Sequence, residues 1–259
     1  ASAGEYGRLI YDLAMRRELI RFGDEVSYAA NAPEPDDSAE DILQSAERRL
    51  FALAEQGGTS KALEPFHLAV HKSLEIASAA YKRGGGLSGI SSGLKSLDAK
   101  MGGLHPSDLI ILAGRPSMGK TALATNIAFS VARNYQAEEQ PDGTRKTTNG
   151  GIVAFFSLEM SSDQLATRLV ADYTGISGYL IRQGKIDAAQ FEDIRDGVHE
   201  IAGIPLYIDD TGGLPIGSLM ARCRRLKRTV GLDLVVVDYL QLVTGSKSSG
   251  ENRVQEISE

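Results

Sequence analysis

Eight consecutive residues constrain this chain most tightly. Gly114, Arg115, Pro116, Ser117, Met118, Gly119, Lys120 and Thr121 fit the pattern G-x-x-x-x-G-K-[ST]. A short apolar run, 109–113, comes directly before them and a helix-forming stretch directly after. Phosphates concentrate negative charge, and glycines let backbone amides turn inward to surround it. The positive end of the following helix adds to that field. In such a loop Lys120 reaches the β- and γ-phosphates as a point charge, and the Thr121 hydroxyl ligates magnesium. The pattern predicts a strand–loop–helix unit that binds a nucleotide.

The sequence around this loop alternates between β-rich and helical segments. Apolar strands are expected at 109–113, 152–157, 206–208 and 234–237, with helices at 121–135, 162–174, 188–202 and 218–229. Continuous apolar strands separated by helices predict a parallel sheet covered on both faces, an α/β architecture. The stretch 136–150 is polar and rich in Gly, Thr and charge, so it is expected to be an exposed loop, a tolerated surface insertion.

Several acids fall at strand ends. Asp238 closes the apolar run 234–237, where a carboxylate beside the phosphate loop serves a magnesium ion; strands also end in Asp for solvation. Glu159 lies just past the run ending at Ser157. There it either accepts the proton of the water attacking the γ-phosphate or favours the dipole of the next helix, and spacing leaves both readings open. Gln241, three residues past Asp238, either senses the γ-phosphate or caps the strand. Asp209 and Asp210 end the third strand and either approach the site or solvate the strand end.

The first third of the chain reads as helices. Tyr6, Ile10, Leu13 and Ile20 recur at near-helical spacing, and Pro33 and Pro35 break that helix. A second helix is expected from Ser38, capped by Ser38 and Asp41, and ends near Gly57 and Gly58. Together they suggest an antiparallel hairpin. A third helix, 65–81, carries Phe66, Val70, Leu74, Ala77 and Tyr81 as its stripe, and 82–86 reads as a flexible joint. The expected organisation is a helical hairpin (1–58), a linker with its helix (59–86) and an α/β domain (87–259).

Composition narrows the function classes. The length, 259 residues, fits one to two domains. No apolar run reaches the 18 or so residues needed to cross a bilayer. A single cysteine, Cys223, excludes a disulfide framework and a cysteine zinc site and fits a reducing compartment. A net charge of −6 disfavours coating nucleic acid by bulk charge but leaves room for a local basic groove. Arg222, Arg224, Arg225, Lys227 and Arg228 crowd one helix, either as a solvated surface or as a contact for a phosphate backbone or an acidic neighbour. His67 and His71 stand four apart, but no Glu follows His67 and no third ligand is evident, so they read as a polar helix flank.

Three motifs carry a family resemblance: 115–121 (Arg-Pro-Ser-Met-Gly-Lys-Thr), 156–160 (Phe-Ser-Leu-Glu-Met) and 237–242 (Val-Asp-Tyr-Leu-Gln-Leu). They resemble those of the bacterial replicative DNA helicases of the DnaB type, as do 89–98 and 102–109, which resemble the lead-in to that family's motor domain. The similarity extends over nearly the whole chain. It implies a RecA-like P-loop ATPase sheet flanked by helices and preceded by an all-α hairpin and a linker helix. Carried across, Lys120 and Thr121 hold phosphate and magnesium, Asp238 is the second magnesium partner, Glu159 is the catalytic base, and Gln241 links nucleotide state to DNA. ATP and Mg2+ are the implied cofactors.

The same resemblance implies a cytoplasmic homohexameric ring that threads single-stranded DNA, moves 5′ to 3′ and belongs to the primosome. A helicase loader is an implied partner, and so is primase, through the amino-terminal collar to which the hairpin would belong. The helix at 65–81 would dock on the adjacent subunit. The family's globular helical region would precede the hairpin; its later strands, DNA-gripping loop and arginine finger would follow Glu259. The start at Ala1, without Met, fits a processed end or an engineered boundary. Two other classes share the phosphate loop: a RecA-like nucleotide-binding switch or recombination ATPase without helicase activity, and an assembly module that binds nucleotide but turns it over poorly.

Overall fold

A computed structural model describes residues 3–31, 39–57, 65–82, 87–141, 143 and 145–242. Two compact units divide the chain, Ala1–Ala79 and Ala80–Glu259. In the first, helices α1 (Ala3–Asn31) and α2 (Ala39–Gly57) pack against each other, with Leu53 buried and Arg49 3.7 Å from Glu25. The expected proline break, the Ser38 cap and positions 83–86 of the expected joint lie outside the described residues. Helix α3 (Phe66–Lys82) begins after Pro65, whose missing donor costs nothing at a helix start.

Beyond the end of α3, the second unit carries a strap that folds back on itself. Ile90 and Leu104 exchange backbone hydrogen bonds of 2.8 Å in each direction around the short helix α4 (Lys95–Met101). Then follow α5 (Lys120–Arg133), β1 (Gln136–Glu139), β2 (Arg145–Asn149), β3 (Val153–Ser157), α6 (Ser162–Thr174), α7 (Gly178–Gln183), α8 (Ala188–Ile201), β4 (Leu206–Asp209), α9 (Ile216–Thr229) and β5 (Leu234–Asp238). A 3-10 turn, Leu240–Leu242, closes the described chain.

The main sheet has the order β4-β3-β5, and both pairings are parallel. Every residue of β3 is buried, as a central parallel strand requires. Its alternate side chains serve two cores. Val153 and Phe155 pack with Ala128, Val131 and Ala132 of α5 and Leu165 of α6. Ala154 and Phe156 pack with Leu214 and with Leu219 of α9. The sheet is therefore covered by helices on both faces, as the sequence predicts.

Two expectations are corrected. The run 109–113 is not a strand: no described residue offers it a ladder, and Leu109 and Ile111 are 87% and 80% exposed. Apolar character alone cannot make a strand, because backbone groups need paired partners. The stretch 136–150 is not an irregular loop but an antiparallel hairpin, β1–β2. Glu138 faces Lys146 and Glu139 faces Arg145 across it, and such opposite-charge pairs support a two-stranded ladder. Both strands are largely exposed, so no apolar alternation marks them in the sequence.

Candidate nucleotide site

The phosphate loop leads directly into α5, and local geometry explains why. Ser117 and Gly119 have φ values of 63° and 84°, left-handed conformations that reverse the chain tightly; the second favours glycine. Met118 N–H donates to the Arg115 carbonyl at 3.3 Å, and Leu123 N–H donates to the Gly119 carbonyl at 2.9 Å. Gly119 is the N-cap of α5 and brings no side-chain acceptor, and no acid lies in the first turn. By contrast, Ser161 and Asp187 cap α6 and α8 with their own oxygens. The start of α5 thus keeps donors and a positive helix end for an anion. Lys120 Nζ bends over the loop to the Gly114 carbonyl at 2.8 Å, and Gly114, Arg115, Pro116, Ser117, Met118 and Gly119 are exposed.

The fold brings this loop to the carboxyl edge of the sheet. Gly151 N–H, just before β3, donates to the carbonyl of Val131 in the last turn of α5, at 3.0 Å. The end of α5 therefore meets the start of β3, and α5 runs antiparallel to it. Fourteen residues of helix span about 21 Å and five of strand about 17 Å, so Lys120 and Thr121 sit level with the strand's far end. Thr125 Oγ1 donates to the Thr121 carbonyl at 2.6 Å and steadies that first turn.

Two carboxylates stand at the same edge. Asp238, only 7% exposed, ends β5 in register with Ser157, and Leu158 N–H donates to its carbonyl at 2.9 Å. Glu159 lies two residues beyond Ser157 and is exposed, while Ser157 Oγ donates to the Met160 carbonyl at 2.7 Å to shape that turn. Thr121 carries a hydroxyl and Asp238 a carboxylate, both hard oxygen groups of the kind Mg2+ takes. Gln241 is exposed on the turn after β5.

Other candidates have different occupations. Asp209 accepts hydrogen bonds from Arg222 and from the Thr211 backbone. Burial raises its pKa, but the bonds from Arg222 and Thr211 outweigh that and hold the carboxyl below the ordinary range. Asp210 accepts from Ser162 N–H at 2.8 Å, the largest cause of its own lowered pKa, and so serves the start of α6. His67 and His71 are exposed on α3, and among the described residues no group of three metal-ligating side chains occurs.

One anchoring residue escaped sequence reasoning. Asp98 is 7% exposed and accepts from Ser91 Oγ (2.6 Å), Ser92 N–H (2.8 Å) and Ser92 Oγ (2.6 Å). It fastens the strap that precedes the phosphate loop. The paired serines before a helix were the available signal, but only the folded turn shows which acid they serve.

The model of the DnaB-like helicase C-terminal domain matches residues 89–259. This chain belongs to the DnaB-like helicase family. The replicative DNA helicase DnaB of Rickettsia bellii is 40% identical over 255 residues, 98% of this chain and 50% of that protein. The DnaB of Geobacillus stearothermophilus is 34% identical, across 100% of this chain and 53% of that protein. The chain spans about half the length of these curated relatives. A solved DnaB-like replicative helicase, described with its interactions with primase, superposes with a TM-score of 0.62 at 23% identity, over 98% of this chain and 55% of its own. A second solved structure, an ATPase domain, gives a TM-score of 0.60 at 26% identity, over 73% of this chain and 63% of its own. The DnaB-like fold is thus a RecA-like α/β sheet with its phosphate loop at the head of α5.

Proposed function

We propose that this chain is the ATP-hydrolysing part of a replicative DNA helicase subunit, coupling turnover to movement on single-stranded DNA and duplex unwinding. What supports this reading is that Asp238 ends β5 beside Ser157, Glu159 follows two residues later, and α5, antiparallel to β3, starts towards that edge of the sheet. Lys120 and the first-turn amides of α5 bind the phosphates, with Arg115 and the other exposed loop residues around them. Thr121 and Asp238 hold Mg2+, which neutralises charge on the phosphates when bound. Glu159 takes the proton of the attacking water, and Gln241 senses the nucleotide state from the turn beyond β5.

In the same reading, 1–58 is the collar hairpin that meets primase, 59–86 the linker whose helix docks on a neighbouring subunit, and 87–259 the motor domain. The assembly is a cytoplasmic hexamer placed on DNA by a loader. The family membership and the 40% identity to a replicative helicase support these assignments. A second reading has one observation in its favour. Among the described residues no strand pairs with the exposed run 109–113 that leads into the phosphate loop, which suits a module that binds nucleotide but turns it over slowly.

ATP turnover measured with and without single-stranded DNA, alongside unwinding of a forked duplex, separates the two. The motor gives stimulated turnover and unwinding. Nucleotide binding with neither would leave the second reading standing.

A further inference from the structure

The α9 helix carries a charge pattern that the nucleotide site does not use. Leu219, Cys223 and Leu226 turn towards the sheet core, and Arg222 is held by Asp209 and Thr211. Arg225 and Arg228 fall on the opposite side of the helix and Lys227, four positions past Cys223, on its flank; all three are exposed. No described acid forms an ion pair with any of these three, and α9 itself contains no Asp or Glu. In a chain of net charge −6, this is a local concentration of positive charge.

Its position separates it from the phosphate loop. The end of α9 turns at 230–233 into the start of β5, where Asp233 N–H donates to the Ile152 carbonyl at 2.9 Å. These cations therefore lie towards the amino edge of the sheet, a strand's length of about 17 Å from the edge that carries Asp238 and Glu159. They are too far along the sheet to serve the nucleotide. Cations in a last helical turn also favour the helix dipole, which accounts for Lys227 and Arg228 but not for Arg225, a turn earlier.

We propose that the outer face of α9 is a nucleic-acid contact, gripping the phosphate backbone of a single strand through Arg225, Lys227 and Arg228. Residues three apart on a helix are neighbours, so Arg225 and Arg228 form one cationic row that Lys227 flanks. Such contacts follow the backbone without reading sequence. The inference rests on the helicase reading for the presence of single-stranded DNA but assigns a surface that reading does not use.

The test is the salt dependence of binding a fluorescent oligodeoxythymidylate to the full chain. It compares wild type with Arg225→Gln/Lys227→Gln/Arg228→Gln and with the corresponding triple Glu variant. These exposed changes leave the core intact, and melting curves verify folding. The expected result is a log K against log salt slope shallower by about two in the Gln variant, at least tenfold weaker binding in the Glu variant, and unchanged ATP affinity. Equal slopes and affinities in a wild type that does bind would overturn the proposal while leaving the helicase reading intact. A wild type that binds no oligonucleotide would overturn both. If the variants bind DNA normally but change particle mass in light scattering, the face contacts a protein neighbour and the proposal is wrong.

Discussion

At the scale of single residues, the site depends on charges that local sequence brings to one place and on anchors that only the fold reveals. Lys120 is the one cation of the phosphate loop that reaches back over it, to the Gly114 carbonyl. Lys120→Ala is expected to reduce ATP hydrolysis to background, because it removes the charge facing the β- and γ-phosphates; a turnover assay with wild-type rates would reject the assignment. Asp98 acts on stability instead. Burial raises its pKa, yet hydrogen bonds from Ser91 and Ser92 together hold it below the ordinary range. A carboxylate with a lowered folded-state pKa stabilises above its unfolded value and loses that contribution as pH falls through the folded one. Asp98→Asn is therefore expected to cost about 1–3 kcal/mol at pH 7. In denaturant titrations its gap to wild type should close below about pH 4; a gap independent of pH would contradict this. The phosphate loop was legible because its pattern is local. Asp98 was not, because its partners form through a turn that spacing does not specify.

At the scale of elements, the sequence is most informative where burial is continuous. The apolar run 152–157 becomes the central strand Val153–Ser157, and 162–174 becomes α6 with the expected limits. It misleads where an element depends on a partner. The run 109–113 is as apolar as β3, but no described strand pairs with it. The β1–β2 hairpin was missed for the opposite reason: its support is cross-strand charge and a tether, Thr147 Oγ1 donating to Asp233 at 3.2 Å, not an apolar face. The junction after it is tight. Gly150 has φ 58°, and a Cβ there would stand 2.4 Å from the Val131 carbonyl oxygen. Gly150→Ala is expected to destabilise by about 1–3 kcal/mol, read as a lowered melting temperature. An unchanged melting temperature would mean that the join between α5 and β3 is looser than described.

At the scale of the whole molecule, one covered parallel sheet carries two surfaces with separate chemistry. Its carboxyl edge gathers Asp238, Glu159 and the start of α5, while the basic face of α9 lies towards its amino edge. Family membership extends over the α/β unit, and the similarity to replicative helicases over nearly all of the chain. In the proposed function the carboxyl edge hydrolyses ATP, with Glu159 as the base. Glu159→Gln keeps the shape of the side chain and removes its basicity. ATP binding and single-stranded-DNA-stimulated turnover, measured on the same preparation of this variant, test the claim directly. If Glu159 is the base, the variant keeps wild-type ATP affinity while turnover falls at least about a hundredfold; unchanged turnover would return Glu159 to an acid that only favours the start of α6.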